Sequence, residues 1–438
     1  GKNSFAFVER GDWPKERSIK LSLEYTLFNS DMKKDYTILV PSMLPIHFRL
    51  LTPVFAKSGY KLEVLTNEGE QVREEGLAHV HNDTCYPALL VIGQMIDALK
   101  SGKYDMDHVA CAITQTAGGC RASNYLSLLR KALAMEGWQH IPCLSANANG
   151  LEKGSSVEFT MPLILRILNG ALYGDALMWL SNQVKPYELE KGATDKAVNQ
   201  FIDELIPMFE HGSYKQSKRI YKKMLEMFKA IPQDRTQIKI RIGIVGEIYM
   251  KYSPLGNQHL EDYLIEEGFE PVLSGVMDFA LYCVENSIID YEYYHMHEKN
   301  HYIYNIVKDV IMRMQKTFRD IVKKDGTFIA PDDFSEVIDN GKAFINPGVK
   351  MGEGWLLTGE VVSLIKSGVT NVISVQPFGC LPNHIVAKGM VRKIKDEYPK
   401  ANIVAIDYDP SASKVNQENR IRLMLANAKL SEEMKASI

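Results

Sequence analysis

No C-x-x-C pair occurs anywhere in the 438 residues, so the generic ferredoxin and zinc-ribbon signatures are absent. There is no G-x-x-x-x-G-K-[ST] phosphate loop, and no G-x-G-x-x-G follows a strand, which removes the ordinary nucleotide-binding fingerprints. Basic blocks are missing too: 51 Lys and Arg stand against 54 Asp and Glu, with the lysines scattered, so nothing marks a nucleic-acid footprint. The longest uncharged run, Ser367 to Ala387, is long enough to cross a bilayer, but it carries Thr370, Asn371, Gln376, Pro377, Pro382, Asn383 and His384. It is not a membrane helix, and no membrane association is expected. Nothing near Gly1 has a signal-peptide pattern, and the chain opens on Gly rather than Met, so removal of an upstream portion or a tag is expected. The expected setting is the cytoplasm, where six widely spaced cysteines read as metal ligands, catalytic groups or small core residues rather than disulfides.

What is present is ordinary globular material. An apolar share of 45% and a charged share of 24% suit a packed core, and the length predicts two to four domains. From Tyr36 onward short β-branched runs alternate with helical periods: Tyr36-Thr-Ile-Leu-Val40, a helix over Ile46 to Ser58, Lys61-Leu-Glu-Val-Leu65, then a helix opening at Asp83-Thr84 with Pro87 in its first turn. A strand over His108 to Ile113, a glycine turn at Ala117-Gly118-Gly119, a helix over Ala122 to Met135 and a strand over His140 to Ser145 continue the rhythm. Between Lys185 and Gln237 the strand signal vanishes, and Ile220, Met224, Met227 and Phe228 form an apolar stripe against Lys218, Arg219, Lys222 and Lys223. Those cations read as a solvated helix face, with docking of an acidic partner as the other reading. The rhythm resumes at Ile238 to Val245 and runs through Asn371 to Val375 and Asn402 to Ile406. The expected fold is α/β: two doubly wound, mainly parallel-sheet lobes facing a cleft, with a helical insertion. The expected division is an N-terminal extension (1–35), lobe 1 (36–185), a helical segment (186–236) and lobe 2 with a C-terminal helix (237–438).

The lobes echo each other. Ala110-Cys-Ala-Ile-Thr114 leads to Gln115-Thr-Ala-Gly-Gly-Cys120 and a helix, and Val372-Ile-Ser-Val375 leads to Gln376-Pro-Phe-Gly-Cys380 and a helix. Each reads strand, Gln, Gly, Cys, helix, with the Gln-to-Cys gap differing by one residue.

Cys85, Cys120 and Cys380 share one address, the start of a helix, where unpaired amides and the positive dipole end favour a thiolate or a bound anion. In open α/β sheets such turns lie where ligands bind. Cys111 and Cys143 fall in apolar strands and read as core; Cys283 follows an apolar run and is left open. Three thiolates together suit a thiophilic metal or an iron–sulfur cluster, whereas a closed zinc site would want a fourth protein ligand. His47, His81, Asn82 and His384 recur near strand ends as caps or catalytic candidates. Glu247 and Glu353 read as helix caps or general bases. Asp407-Tyr-Asp409-Pro-Ser-Ala-Ser413, followed by Asn416, Asn419 and Arg420, reads as a polar loop that binds a substrate or caps a helix.

The blocks Val40-Pro-Ser-Met-Leu-Pro-Ile-His47, His81-Asn-Asp-Thr-Cys-Tyr-Pro87, Thr114-Gln-Thr-Ala-Gly-Gly-Cys-Arg-Ala-Ser-Asn-Tyr125, Gly246-Glu-Ile, Gly352-Glu-Gly-Trp-Leu-Leu-Thr358, Gln376-Pro-Phe-Gly-Cys-Leu-Pro-Asn-His384 and Ala405-Ile-Asp-Tyr-Asp-Pro410 resemble the dehydratase-like part of the large acyl-CoA dehydratase activase-related proteins. Those are similar in turn to 2-hydroxyacyl-CoA dehydratase and benzoyl-CoA reductase subunits. The resemblance implies an iron–sulfur cluster in the inter-lobe cleft, with Cys85, Cys120 and Cys380 matching its ligands. A 4Fe-4S cluster on those three cysteines, with one iron open to water or substrate, is one form; Cys283 as the candidate fourth ligand would close it into a pure electron carrier, and a larger double-cubane cluster is another form. It also implies an ATP-hydrolysing iron–sulfur activase as partner, fused upstream in relatives, that drives low-potential electrons onto this chain for delivery to a small-molecule substrate such as a CoA thioester. Glu247, His384 and His47 are the catalytic candidates. Two alternatives stand beside this dehydratase- or reductase-type enzyme: a non-catalytic electron-relay or scaffold module for the activase, and a metal-free two-lobed small-molecule binder. No pattern sets the oligomeric state, and a homodimer stays open.

Overall fold

The computed structural model describes residues 25–436 apart from 82, 116–118, 146–156, 297–299 and 412–413. Of the glycine turn at 117–119 and the loop at 407–413, residues 117–118 and 412–413 lie outside the described residues, as does Asn82.

Among the described residues eight strands form two separate four-stranded sheets, parallel throughout. The first contains β1 (Thr37–Val40), β2 (Lys61–Val64), β3 (Val109–Ile113) and β4 (Cys143–Ser145) in the order β2-β1-β3-β4. The second contains β5 (Arg241–Gly246), β6 (Glu270–Val272), β7 (Asn371–Pro377) and β8 (Asn402–Tyr408) in the order β6-β5-β7-β8. The two sheets therefore repeat one topology, and the local echo in the sequence falls on the third strand of each. β3 and β7 are buried along their whole length, so neither shows the alternation of a half-exposed strand; β3 is apolar throughout, and β7 also buries Asn371, Ser374 and Gln376. The uncharged run at 367–387 resolves into β7 and the turn and helix after it.

A helical layer occupies the interval where the strand signal vanished, with helices Ala193–Glu210 and Ser217–Ala230. In the second of these, Ile220, Tyr221, Met224, Leu225 and Phe228 are buried, and Lys218, Lys222 and Lys223 are exposed. The layer is larger than the expected 186–236 segment. It includes the 24-residue helix Met161–Val184 before it and packs against His301–Asp325 from the second lobe, with Phe318 beside Tyr221. The expectation stopped short because the long helix is apolar over most of its surface and gives no clear helical stripe. Met161–Tyr187 has the length and composition of a membrane span, but most of it is buried inside the molecule, as in a core helix.

The sheets are joined by one continuous hydrophobic core. Leu89, Ile92 and Met95 from the helix Tyr86–Lys100 share it with Met250, Tyr252, Ile373 and Tyr408 from the second half of the chain. A backbone hydrogen bond crosses the junction as well: Tyr86 N–H donates to the Phe378 carbonyl at 2.9 Å, and Phe378 is held in turn to its own half by donating to the Tyr408 carbonyl at 2.8 Å.

Candidate functional site

Each of the three cysteines singled out at helix starts is found at one. Cys85, in extended backbone, caps the helix Tyr86–Lys100, with Pro87 in the first turn. Cys120 caps the short turn Arg121–Asn124 that leads into Tyr125–Met135. Cys380 ends the turn after β7, and helical backbone begins at Leu381. The sequence gap from 85 to 380 closes completely, since Cys85, Cys120 and Cys380 line a single pocket together with Tyr125, Arg121, Glu247 and Glu353.

Two glutamines position the turns. Gln115 Nε2 donates to the Ser123 carbonyl at 2.9 Å and Ser145 Oγ donates to Gln115 Oε1 at 2.7 Å, while Gln376 Nε2 pairs with His384 Nδ1 at 3.2 Å. Each glutamine thus reaches a residue eight positions on, across the turn that bears its cysteine. The repeated Gln is the clasp of the cysteine turn in both halves.

Every thiol meets a hydrogen-bonding group. Tyr125 Oη lies 3.0 Å from Cys85 Sγ, Ala122 N–H donates to Cys120 Sγ at 3.5 Å, and Asn383 Nδ2 donates to Cys380 Sγ at 3.2 Å. Burial pushes the Cys85 thiol up to about 11, opposed by the Tyr125 bond. The Cys380 thiol is driven higher still, first by burial and then by the charges of Glu353 and Glu247.

Glu247 caps the helix Ile248–Tyr252, its Oε2 accepting from Met250 N–H at 2.8 Å, and Glu353 Oε1 accepts from Ile248 N–H at 3.1 Å. The capping expectation holds for Glu247, but both carboxyls also face the thiols. Burial and then the charge of Glu353 push Glu247 up to about 8, and burial raises Glu353 as well. At neutral pH two such groups do not both ionise readily, so the pair retains a proton. The pocket gathers three thiols and two carboxyls around one lining cation, Arg121. That donor set is soft and electron-rich; among the described residues its thiols are not close enough to share one ion, so it suits the several irons of a cluster better than a single metal.

The other candidates are placed elsewhere. His47 is buried and its Nε2 pairs with Asp175 Oδ1 at 2.8 Å, beside Gly174, where a Cβ would stand 2.4 Å from the ring. His384 is tied to Gln376 and is not among the residues lining the thiol pocket. His81 is exposed near Asp83. Cys283, on the helix Val276–Tyr294, is not among the residues lining the pocket; the residue is exposed overall, but its thiol is pushed up by burial and by the charge of Glu353, which places it beside the pocket rather than far from it. Cys111 and Cys143 are buried and face each other in register across β3 and β4, as core residues should. Asp409 Oδ1 accepts from Ser411 N–H at 2.7 Å and Arg420 pairs with Asp407 at 3.2 Å, so these two acids brace their loop.

Sequence reasoning missed two groups. Tyr125 stands five residues after Cys120, beyond the short turn Arg121–Asn124, and closes one of the matching blocks, but nothing in the sequence marked it as a partner of Cys85. Glu75, His79 and Glu136 gather within 4.8 Å of one another, but Lys100 Nζ sits 2.8 Å from Glu75 and 2.9 Å from Glu136. The ammonium already supplies the positive charge a metal would bring, so this is an ion-pair cluster that ties three helices.

A scan of the chain against protein-family models finds no match, and a search of curated proteins finds none either, so the functional argument rests on the site.

Proposed function

We propose that the thiol pocket holds an iron–sulfur cluster on Cys85, Cys120 and Cys380, a 4Fe-4S centre in its simplest form. In this reading the chain is the electron-accepting component of a two-component system of the 2-hydroxyacyl-CoA dehydratase and benzoyl-CoA reductase type. An ATP-dependent activase supplies the electrons, in an oxygen-free cytoplasmic setting, and the two lobes are doubly wound halves facing a cleft where a small substrate such as a CoA thioester binds. The observation that carries the reading is the convergence of three thiols, from three helix starts in both halves of the chain, on one pocket.

When bound, such a cluster supplies one-electron transfer at low potential. The chain's own residues do the rest. The cysteines hold the irons, and Tyr125, Ala122 N–H and Asn383 donate to the sulfurs. The Glu247–Glu353 pair keeps a proton beside them for a substrate oxygen. The free space in the pocket is about 20 Å³, room for little more than a water, so loading requires the cysteine turns to move apart. No fourth thiol lines the pocket, which favours a substrate-facing centre over a closed electron relay.

Single exchanges of Cys85, Cys120 and Cys380 to Ser, with Cys283→Ser as control, test the ligand set. Iron is expected to fall in the first three and to persist in the control. Unchanged iron in any of the first three would remove that residue from the set.

A further inference from the structure

A second cavity, of about 100 Å³, lies between the long helix Met161–Val184, the helix His301–Asp325 and the second sheet. Trp179, Tyr221, Phe318, Ile329 and Val337 make its walls largely apolar and aromatic. The cations that line it are already matched. Lys251 Nζ lies 2.8 Å from Glu360, Arg241 Nε lies 3.4 Å from Glu270, and Arg319 pairs with Asp333. The Asp175 carboxylate is used up as well, accepting from Val276 and Met277 N–H at 2.8 and 3.0 Å and pairing with His47.

One carboxyl is left over, Asp278. Asp332 lies in the field of Arg241, Lys323 and Arg319, whereas Asp278, among the described residues, has no cation within ion-pair distance and accepts a single side-chain bond, from Gln315 Nε2 at 2.8 Å. Burial pushes the Asp278 carboxyl up to about 7, with the charges of Asp175 and Glu360 adding to it and Lys251 opposing. A carboxyl against aromatic walls with no cation of its own is the complement of an organic cation, which can use both the charge and the ring faces.

We propose that this cavity binds a short alkylammonium group, as a free amine or as the end of a longer molecule, with the nitrogen at Asp278 and the hydrocarbon against Trp179, Tyr221 and Phe318. A cavity of ~150 Å³ takes one benzene, so this one takes roughly four or five heavy atoms. The site shares none of its lining with the thiol pocket and stands independently of the cluster reading.

The test is a ligand-observed NMR titration of the full chain at pH 8 with n-butylammonium and with 1-butanol, which has nearly the same shape and no charge. Saturable binding is expected, with n-butylammonium at least tenfold tighter, and Asp278→Asn is expected to abolish that preference. Absence of saturable binding, equal affinity for the two probes, or a preference that survives in Asp278→Asn would overturn the proposal. If Asp278→Asn does not fold, a crystal structure of the unaltered protein soaked with n-butylammonium decides. Nitrogen within hydrogen-bond reach of Asp278 supports the site, and a cavity filled by water alone overturns it.

Discussion

Gly379 lies against the backbone of Cys85. A Cβ at position 379 would stand 3.1 Å from Cys85 Cα, and Gly379 has a φ of +74°. One glycine therefore sets how closely the cysteine turn of the second half approaches that of the first, and Tyr86 N–H locks the approach by bonding Phe378. Gly379→Ala strains the backbone and crowds Cys85 at once. It is expected to destabilise the protein by about 1–2 kcal/mol, the cost of a left-handed residue with a side chain, and to lower iron retention more than its stability loss explains. Thermal unfolding and metal analysis of the same sample check both.

The Glu247–Glu353 pair gives a pH dependence with a definite sign. Glu247 is raised in the folded protein from 4.5 to about 8, so across that interval the folded chain holds a proton that the unfolded chain has released. Stability then falls as pH rises from about 4.5 to about 8. Glu247→Gln keeps the oxygen that caps Met250 and removes the titration. The metal-free variant is expected to have a flatter profile of Tm against pH and a higher Tm at pH 8 than the unaltered metal-free protein.

Tyr125→Phe removes the group 3.0 Å from Cys85 Sγ. A hydrogen bond to sulfur favours the more reduced, more negative state of a cluster. With one such bond worth ~0.5–1.5 kcal/mol, the midpoint potential is expected to drop by roughly 20–60 mV for a one-electron couple. Redox titration monitored by EPR reads the shift, with iron content unchanged.

His47 lies outside the thiol pocket, and Asp175 is the hub it leans on. Asp175→Ala strips the acceptor from two amides at the start of Val276–Tyr294 and from His47. A loss of about 2–3 kcal/mol is expected, as for a helix cap plus a buried partner, seen as a lower Tm. His47→Gln should lower Tm without changing the iron bound by the folded fraction.

Seven strands were legible: β1 to β5, β7 and β8 lie within three residues of the runs read from the sequence, the partly exposed β2 as well as the buried β3, because each carries β-branched or apolar residues between turn signals. β6 escaped, being three residues with Pro271 in the middle. The helix Glu70–His79 also escaped, since its charged sequence, Glu-Gln-Val-Arg-Glu-Glu-Gly-Leu-Ala-His, leaves little apolar periodicity. At the site, the helix-start address of Cys85, Cys120 and Cys380 was readable from Pro87, Pro382 and the glycines. Their meeting point was not, because it depends on how two sheets dock through a shared core. The surroundings of His47 were illegible for a related reason: a histidine beside a strand end carries no local sign that an aspartate 128 residues on will pair with it.

The central claim is that three thiols hold a cluster. Anaerobic purification followed by iron and acid-labile sulfide analysis, with EPR of the reduced protein, tests it most directly. The account expects about four irons and four sulfides per chain, as in a 4Fe-4S centre, all lost in Cys120→Ser. A folded, colourless protein that stays free of iron after anaerobic reconstitution would contradict it.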